Sequence, residues 1–440
     1  MRDLESVAKE VHRELKQRRE EGCDVTRLEE QWEAIAVRPP ELRWAEYEGL
    51  WLALENLVSP LESREPSTLE AIRALRPEGP RLLARRPSER ELRDKIYGAW
   101  LGRVAGCLLG KPVEGWSRAD IDAYLQYVGE PSPLSFYFPW RDEVPEGVRR
   151  LHSKNCSRGN ITQGVRDDDT DYTVLGLHIL ETYGPGFTSR EVADTWLGCL
   201  PYQRVYTAER VAYRNLVNDL DPPESATYRN PYREWIGAQI RADGWAYAAP
   251  GWPEKAAEFA FRDAVVSHVK NGIYGEMWVA AMIAAAFVVE EVAEIIRIGL
   301  SEIPAESRLA QALQDVLAWH QKEPTWEGCW ERIHSKYGSY PPVHTINNAC
   351  LVALGLLYGE KDFGRTVGIA VHGGWDTDCN GATAGSIIGA LLGAAALPWE
   401  WIEPLHDRLE SLVPGFAHNR ISLLAERSLR VARQVREVPK

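Results

Sequence analysis

The chain has 440 residues, 45% apolar and 26% charged, a balance that excludes a wholly disordered, fibrous or collagen-like protein and leaves room for two or three domains. Its 51 basic and 64 acidic residues give a formal net charge of −13, which argues against nucleic acid and membranes as partners, since both demand a basic footprint, and suits a protein that gathers cations. The seven cysteines are scattered and never spaced C-x-x-C, so we expect neither a disulfide framework nor a structural zinc site, but a reducing, cytoplasmic setting.

From the N-terminus, MRDLESVAKE lacks the apolar core of a secretory signal. No run of about 18 uncharged apolar residues follows, so no transmembrane helix is expected. Residues 1–87 read as a helical extension. Leu42, Trp44, Tyr47, Leu50, Trp51, Leu54 and Leu57 recur at three- and four-residue spacing, as one buried helix face requires. Pro77, Gly79, Pro80 and Pro87 break the pattern. Ser88 with Glu91 then forms a capping-box pair that starts a new helix, and we place the boundary of a second domain, 88–440, here. Further helices are predicted over 174–182, 190–200, 206–218, 254–268, 275–298, 308–320, 345–358 and 382–397. No series of strand patterns interrupts them, so the fold class is all-α. The span 117–166, with several prolines and the stretch EPSPLSFYFPW, is expected to be a long connection beside a site. The tail from Trp399 is predicted to form two surface helices.

Two helices carry glycine at every fourth residue: Gly98, Gly102, Gly106 and Gly110, and again Gly381, Gly385, Gly389 and Gly393. Each such ridge costs roughly 3–4 kcal/mol of helix propensity. Close approach of two backbones along the ridges would offset that and place both helices at the centre of a bundle. Membrane dimerisation through small residues is the rival reading, but both segments are too short and abut charged motifs.

Acidic motifs stand at two helix entrances. The first is Asp167-Asp168-Asp169-Thr170-Asp171. Capping needs one or two acids, not four within five residues, and two carboxylates 4 Å apart repel by about 4 kcal/mol at an effective dielectric of 20. The second is Gly373-Gly374-Trp375-Asp376-Thr377-Asp378-Cys379-Asn380-Gly381. Its opening matches an EF-hand loop, but the twelfth position is Ile387 rather than a bidentate Glu. A solvated Asx turn is the plain alternative. Together the motifs supply five carboxylates, enough for two hard cations. No G-x-S-x-G elbow, Walker A loop or dinucleotide fingerprint is present.

In this order, GAWLGRVAGCLLGKPVEGW (98–116), DDDTDYT and GGWDTDCNGATAGSIIGALLGA resemble the three signature blocks of the ADP-ribosylglycohydrolase family, which includes the dinitrogenase-reductase-activating glycohydrolase. The resemblance spans about residues 92–398 and takes in SHVKNGIYGEMWVAAMIAAAF and HTINNACLVALGLLYGEKDF. It implies a compact orthogonal helical bundle, with an N-terminal helical extension, around two Mg²⁺ or Mn²⁺ ions. The metal ligands implied are Asp167, Asp168, Asp169, Asp376 and Asp378. Catalytic roles are implied for Glu114, Asp168 and Asp169, and substrate contacts for Gly374, Trp375, His268 and Tyr274. Three positions depart from the family pattern: Asp167 and Cys379 replace threonines, and Cys107 follows Gly106 where the family has Asp.

The expected activity is therefore metal-dependent hydrolysis of a ribosyl N- or O-glycosidic bond. The substrate would be a small riboside or an ADP-ribosylated conjugate. Two cations would hold vicinal ribose hydroxyls, and carboxylates would stabilise an oxocarbenium-like transition state and deprotonate the water. Trp375 and the aromatic 136–140 stretch would stack on a sugar or base. Two alternatives remain. Asp167-Asp168-x-x-Asp171 also fits the D-D-x-x-D of Mg²⁺-dependent isoprenoid diphosphate enzymes, although Asn218-Asp219 runs into Pro222 where a second motif needs Ser or Thr. A catalytically inactive family member is the other.

Overall fold

The two glycine ridges meet face to face at the centre of the molecule. The helices Glu89–Gly110 and Thr377–Leu392 carry them. A Cβ added at Gly98, Gly102, Gly106 or Gly110 would come closer than 3.0 Å to the carbonyl oxygen of Gly389, Gly385, Gly381 or Thr377 in turn. Four residues forward in one helix match four back in the other, so the pair runs antiparallel with backbones in contact. This register has a functional consequence. It sets the C-terminal end of the first ridge, and with it Lys111 and Glu114, against the N-terminal end of the second, where Asp378 stands. Thr377 locks the junction by donating its hydroxyl to the carbonyl of Gly110 at 2.8 Å.

The computed structural model describes residues 4–437, and among these it is all-α apart from one short hairpin pairing Arg408–Glu410 with His418–Arg420. Helices Asn271–Ala286 and Thr345–Tyr358 are buried along their whole length and complete the centre. Amphipathic helices form the shell. Among the described residues, no helix is long and apolar enough to cross a membrane. Ser88 caps the first ridge by accepting the Glu91 N–H at 3.2 Å. Ser88→Ala should therefore cost about 1 kcal/mol, read as a lower denaturant midpoint at unchanged slope.

Several predicted elements take a different form. The 275–298 helix is two, Asn271–Ala286 and Val292–Leu300. Lys95 takes the Phe287 carbonyl at 3.1 Å near the end of the first, and periodicity cannot reveal a break between two apolar runs. The 117–166 connection opens with a helix, Arg118–Val128, behind a reciprocal capping box of Ser117 and Asp120, and ends it on Gly129 at φ +76°. The tail holds one long helix, Ile421–Glu437, whose Leu424, Leu429 and Val431 are buried in the core, rather than two on the surface.

The N-terminal segment builds a small core of its own from Val11, Leu15, Tyr47, Trp51 and Leu54. Leu42 and Trp44, predicted on that face, are exposed. The segment docks through buried ion pairs. Arg233 meets Glu14 and Glu21, each at 2.7 Å, and Arg308 meets Glu65 and Glu234, also at 2.7 Å. Each buried charge has its partner, as burial demands.

Candidate active site

Both acidic motifs line one cleft of about 340 Å³, the first from the start of the helix Asp168–Tyr183 and the second from the start of the second ridge. Asp167 is the N-cap of the helix Asp168–Tyr183 and accepts the Asp169 N–H at 3.0 Å. Asp376 and Asp378 open the second ridge helix. Carboxylate oxygens of Glu114, Asp376 and Asp378 lie within 4.8 Å of one another, and an oxygen of Asp169 lies equally close to one of Asp378. Two sequence motifs some 200 residues apart thus share one space.

Such crowding shows in the charge states. Burial, followed by the neighbouring carboxylates, pushes Asp168 and Asp376 well above the usual carboxylate range. Asp169 is raised likewise by burial, although Arg103 opposes the shift from 3.2 Å. Asp378 is pushed up to about 7 by burial, then by Glu114 and Asp167. Glu114 is raised for the same reasons. Asp167 differs: Lys111 pairs with it and holds it below its ordinary value against the effect of burial. The remaining carboxylates cannot all be ionised without further positive charge.

The donor set fits hard cations. Oδ1 of Asp378 is buried without a hydrogen-bond partner, which suits an atom reserved for a ligand. Carboxylate oxygens are the donors that Mg²⁺ and Mn²⁺ take. Two thiols border the set: Cys107 beside Asp167 and Asp169, and Cys379 beside Asp169 and Asp378. Burial pushes both thiols well above their usual range.

The four residues expected to touch substrate stand elsewhere. His268 is buried away from the cleft, with Nδ1 bonded to the Ser267 hydroxyl at 2.7 Å. Tyr274 donates its hydroxyl to the Pro66 carbonyl, under the N-terminal segment. Neither lines the cleft: His268 lies in the link between the helices Pro253–Ala264 and Asn271–Ala286, and Tyr274 is on the helix face that meets Pro66. Gly374 and Trp375 sit behind it. Both have left-handed backbone, φ +84° and +65°, and Trp375 exchanges backbone hydrogen bonds with Gly115 and Trp116 at 3.0 and 3.1 Å. They therefore brace the Glu114 turn. The aromatic 136–140 stretch is also absent from the cleft. Phe136 and Tyr137 pack on Trp401, and only Arg166, at the end of that connection, reaches the lining.

Other residues form the walls. Tyr172, Tyr206 and Trp235 supply the rings, with Thr207 between them at φ +39°, a strained value for a β-branched residue. Glu209 lines the floor and is fixed by Arg241 at 2.8 Å, which in turn holds Asp263 at 2.5 Å. No local pattern marks Tyr206 or Trp235 in the sequence. Asp171, which a D-D-x-x-D diphosphate reading needs at the site, turns away to Arg166 at 2.7 Å and to the Leu412 N–H at 2.8 Å.

The ADP-ribosylglycohydrolase family model matches residues 88–437. No curated protein matches the chain. Among solved structures, a chain described as an ADP-ribosylglycohydrolase-related protein complex aligns with a TM-score of 0.51 at 20% identity, covering 79% of this chain and 99% of that one. At that identity the likeness is one of fold.

Proposed function

Because the chain belongs to the ADP-ribosylglycohydrolase family, we propose that its acidic cleft hydrolyses a ribosyl N- or O-glycosidic bond with the aid of two Mg²⁺ or Mn²⁺ ions. The observation that carries this reading is the convergence of Asp169, Asp376 and Asp378 from two distant helix entrances, with Glu114 from beyond the end of the first ridge, on one cleft. Asp168, Asp169, Asp376 and Asp378 would hold the ions, with Asp167 beside them and already paired to Lys111. Bound there, the ions would supply Lewis acidity and fix the vicinal hydroxyls of the ribose.

The protein's own groups do the rest. Glu114 lines the cleft, where burial and the Asp167 and Asp168 carboxylates raise its own carboxyl, as suits a group that exchanges a proton. With Asp168, which also lines the cleft, it would orient and deprotonate a water. The carboxylates around them stabilise positive charge on the sugar as the bond breaks. Tyr172, Tyr206 and Trp235 offer faces for the sugar or its substituent. The substrate would be a small riboside or an ADP-ribosylated conjugate. Incubating the chain with a panel of both, with Mn²⁺ or Mg²⁺ and again with chelator, should release sugar only when the ion is present.

A second reading, a non-catalytic family member, draws on Lys111 and Arg103, whose charges already offset Asp167 and Asp169. Metal analysis separates the two, since a scaffold neutralised by its own side chains retains no ions.

Cys379 gives a narrower prediction. A thiol is a poor donor to Mg²⁺, so Cys379→Thr should raise the Mg²⁺-supported rate several-fold relative to the Mn²⁺-supported one. An unchanged ratio of the two rates would remove Cys379 from metal selection.

A further inference from the structure

Behind the acidic cleft, the first ridge helix buries a charge that the proposed chemistry leaves unused. Arg103 and Asp243 are both shielded from solvent, and neither lines the cleft. A guanidinium at that depth needs a partner on each side of its fork. Nε of Arg103 donates to the Thr173 hydroxyl at 2.7 Å, and Nη2 donates to the Asp169 carbonyl at 2.8 Å and to Oδ1 of the Asp169 carboxylate at 3.2 Å. Nη2 also donates to the carbonyl of Ile240, a residue of the cleft wall, at 2.5 Å. The remaining nitrogen, Nη1, meets the Asp243 carboxylate at 2.7 Å. Asp243 in turn accepts the Tyr247 hydroxyl at 3.3 Å. Two carboxylates therefore share one guanidinium. Lys111 offsets the charge of Asp167, and Arg103 by itself would do the same to Asp169. Asp243 already balances Arg103, so the three groups together keep one negative charge, and Asp169 is the member of the three that reaches the cleft.

We propose that Arg103 and Asp243 are a positioning pair for the acidic centre: Arg103 fixes where the Asp169 carboxylate stands, and Asp243 cancels the charge of Arg103, so that Asp169 keeps its own for a divalent ion. The proposal rests on the reading of the cleft as a divalent-metal centre. A role confined to holding the fold would be met by the bonds to the Thr173 hydroxyl and to the Asp169 and Ile240 carbonyls. The bond to Oδ1 of Asp169 and the second carboxylate behind it are what a metal ligand needs from its surroundings, a fixed orientation and an undiminished charge. The pair also weakens the offset at Asp169 on which the non-catalytic reading draws. Neither residue touches the cleft, so both act through Asp169.

The test is calorimetric titration of Mn²⁺ into the metal-stripped full chain, parent and variants. Asp243→Asn keeps the size of the side chain and an acceptor for the Tyr247 hydroxyl but removes the charge, which leaves Arg103 to Asp169 alone. Mn²⁺ should then bind at least about tenfold more weakly. Tyr247→Phe removes the hydrogen bond to Asp243 but no charge, and should leave the affinity within about twofold of the parent. Because the pair acts through affinity, excess Mn²⁺ should bring sugar release by Asp243→Asn back to within about twofold of the parent. Should Asp243→Asn not fold, Arg103→Lys decides instead. It keeps the charge but cannot reach Asp169, Ile240 and Asp243 together, and should also weaken Mn²⁺ about tenfold. A Mn²⁺ affinity equal to the parent's in the folded variant overturns the proposal, however far the melting temperature falls. A tenfold weaker affinity in a chain that hydrolyses no ribosyl bond supports the pair and counts against the hydrolase reading instead.

Discussion

Asp378→Asn is expected to lower ribosyl hydrolysis by about a thousandfold or more, some 4 kcal/mol of transition-state stabilisation, without harming the fold. Asp378 is the residue where the two halves of the site touch: its oxygens lie within 4.8 Å of those of Asp169, and of Glu114 and Asp376. Its Oδ1 has no partner within the protein, so the amide breaks no hydrogen bond at that atom. The effect on stability has a definite sign. The carboxyl is raised to about 7 by burial and by Glu114 and Asp167. A carboxyl raised in the folded state costs stability progressively as pH rises from its ordinary value of 3.8 to about 7, and above about 7 the full cost is present because the folded protein then holds the unfavourable charge. At pH 8, without divalent ions, the variant should therefore melt no lower than the parent. Adding Mn²⁺ should raise the melting temperature of the parent and leave that of the variant nearly unchanged. A variant that unfolds outright would make Asp378 a structural residue.

The second large effect concerns the ridges. Gly106→Ala should destabilise the protein by about 3 kcal/mol or more, although alanine is the better helix former by ~1 kcal/mol. An added Cβ would overlap the backbone carbonyl of Gly381, and the helices cannot separate there without pulling Gly110 from Thr377. Gly49 is the control. It lies in the helix Pro40–Glu55, where a Cβ meets nothing within 4 Å, so Gly49→Ala should stabilise by about 0.5–1 kcal/mol. Chemical denaturation of both variants reads the opposite signs directly. Because the same register delivers Glu114 to Asp378, Gly106→Ala should also lower metal affinity in whatever fraction remains folded.

Features encoded within a few residues were legible before the structure. The four-residue glycine spacing identified the central helices, since only backbone contact offsets its cost. The acid density at 167–171 and 376–378 drew attention to two segments that the fold brings to one cleft, since unpaired carboxylates at that spacing repel. What was not legible depends on where distant segments meet. Trp235 and Tyr206 carry no local signature, and only the packing of the 202–207 and 231–237 segments over the cleft makes them walls. His268 and Tyr274 lie in a family-like segment, yet His268 sits in the link before the helix and bonds to Ser267, and Tyr274 is on a helix face that meets Pro66. Trp375 was adjacent to the right residue but faces the other side, because its left-handed backbone turns it toward His334 at 6.3 Å. The break after Ala286 lay between two equally apolar runs, where periodicity holds no information.

The central claim is that the two acidic helix entrances act together as one metal-dependent hydrolytic centre. Its most direct test is to strip the chain of metal, titrate Mn²⁺ back, and measure bound ions and sugar release on the same samples. The account predicts two ions per chain in the parent, hydrolysis that rises with occupancy, and loss of both in Asp378→Asn. Hydrolysis that proceeds undiminished in the stripped protein, or a fully loaded centre that releases no sugar from any riboside or ADP-ribosyl conjugate, would contradict it.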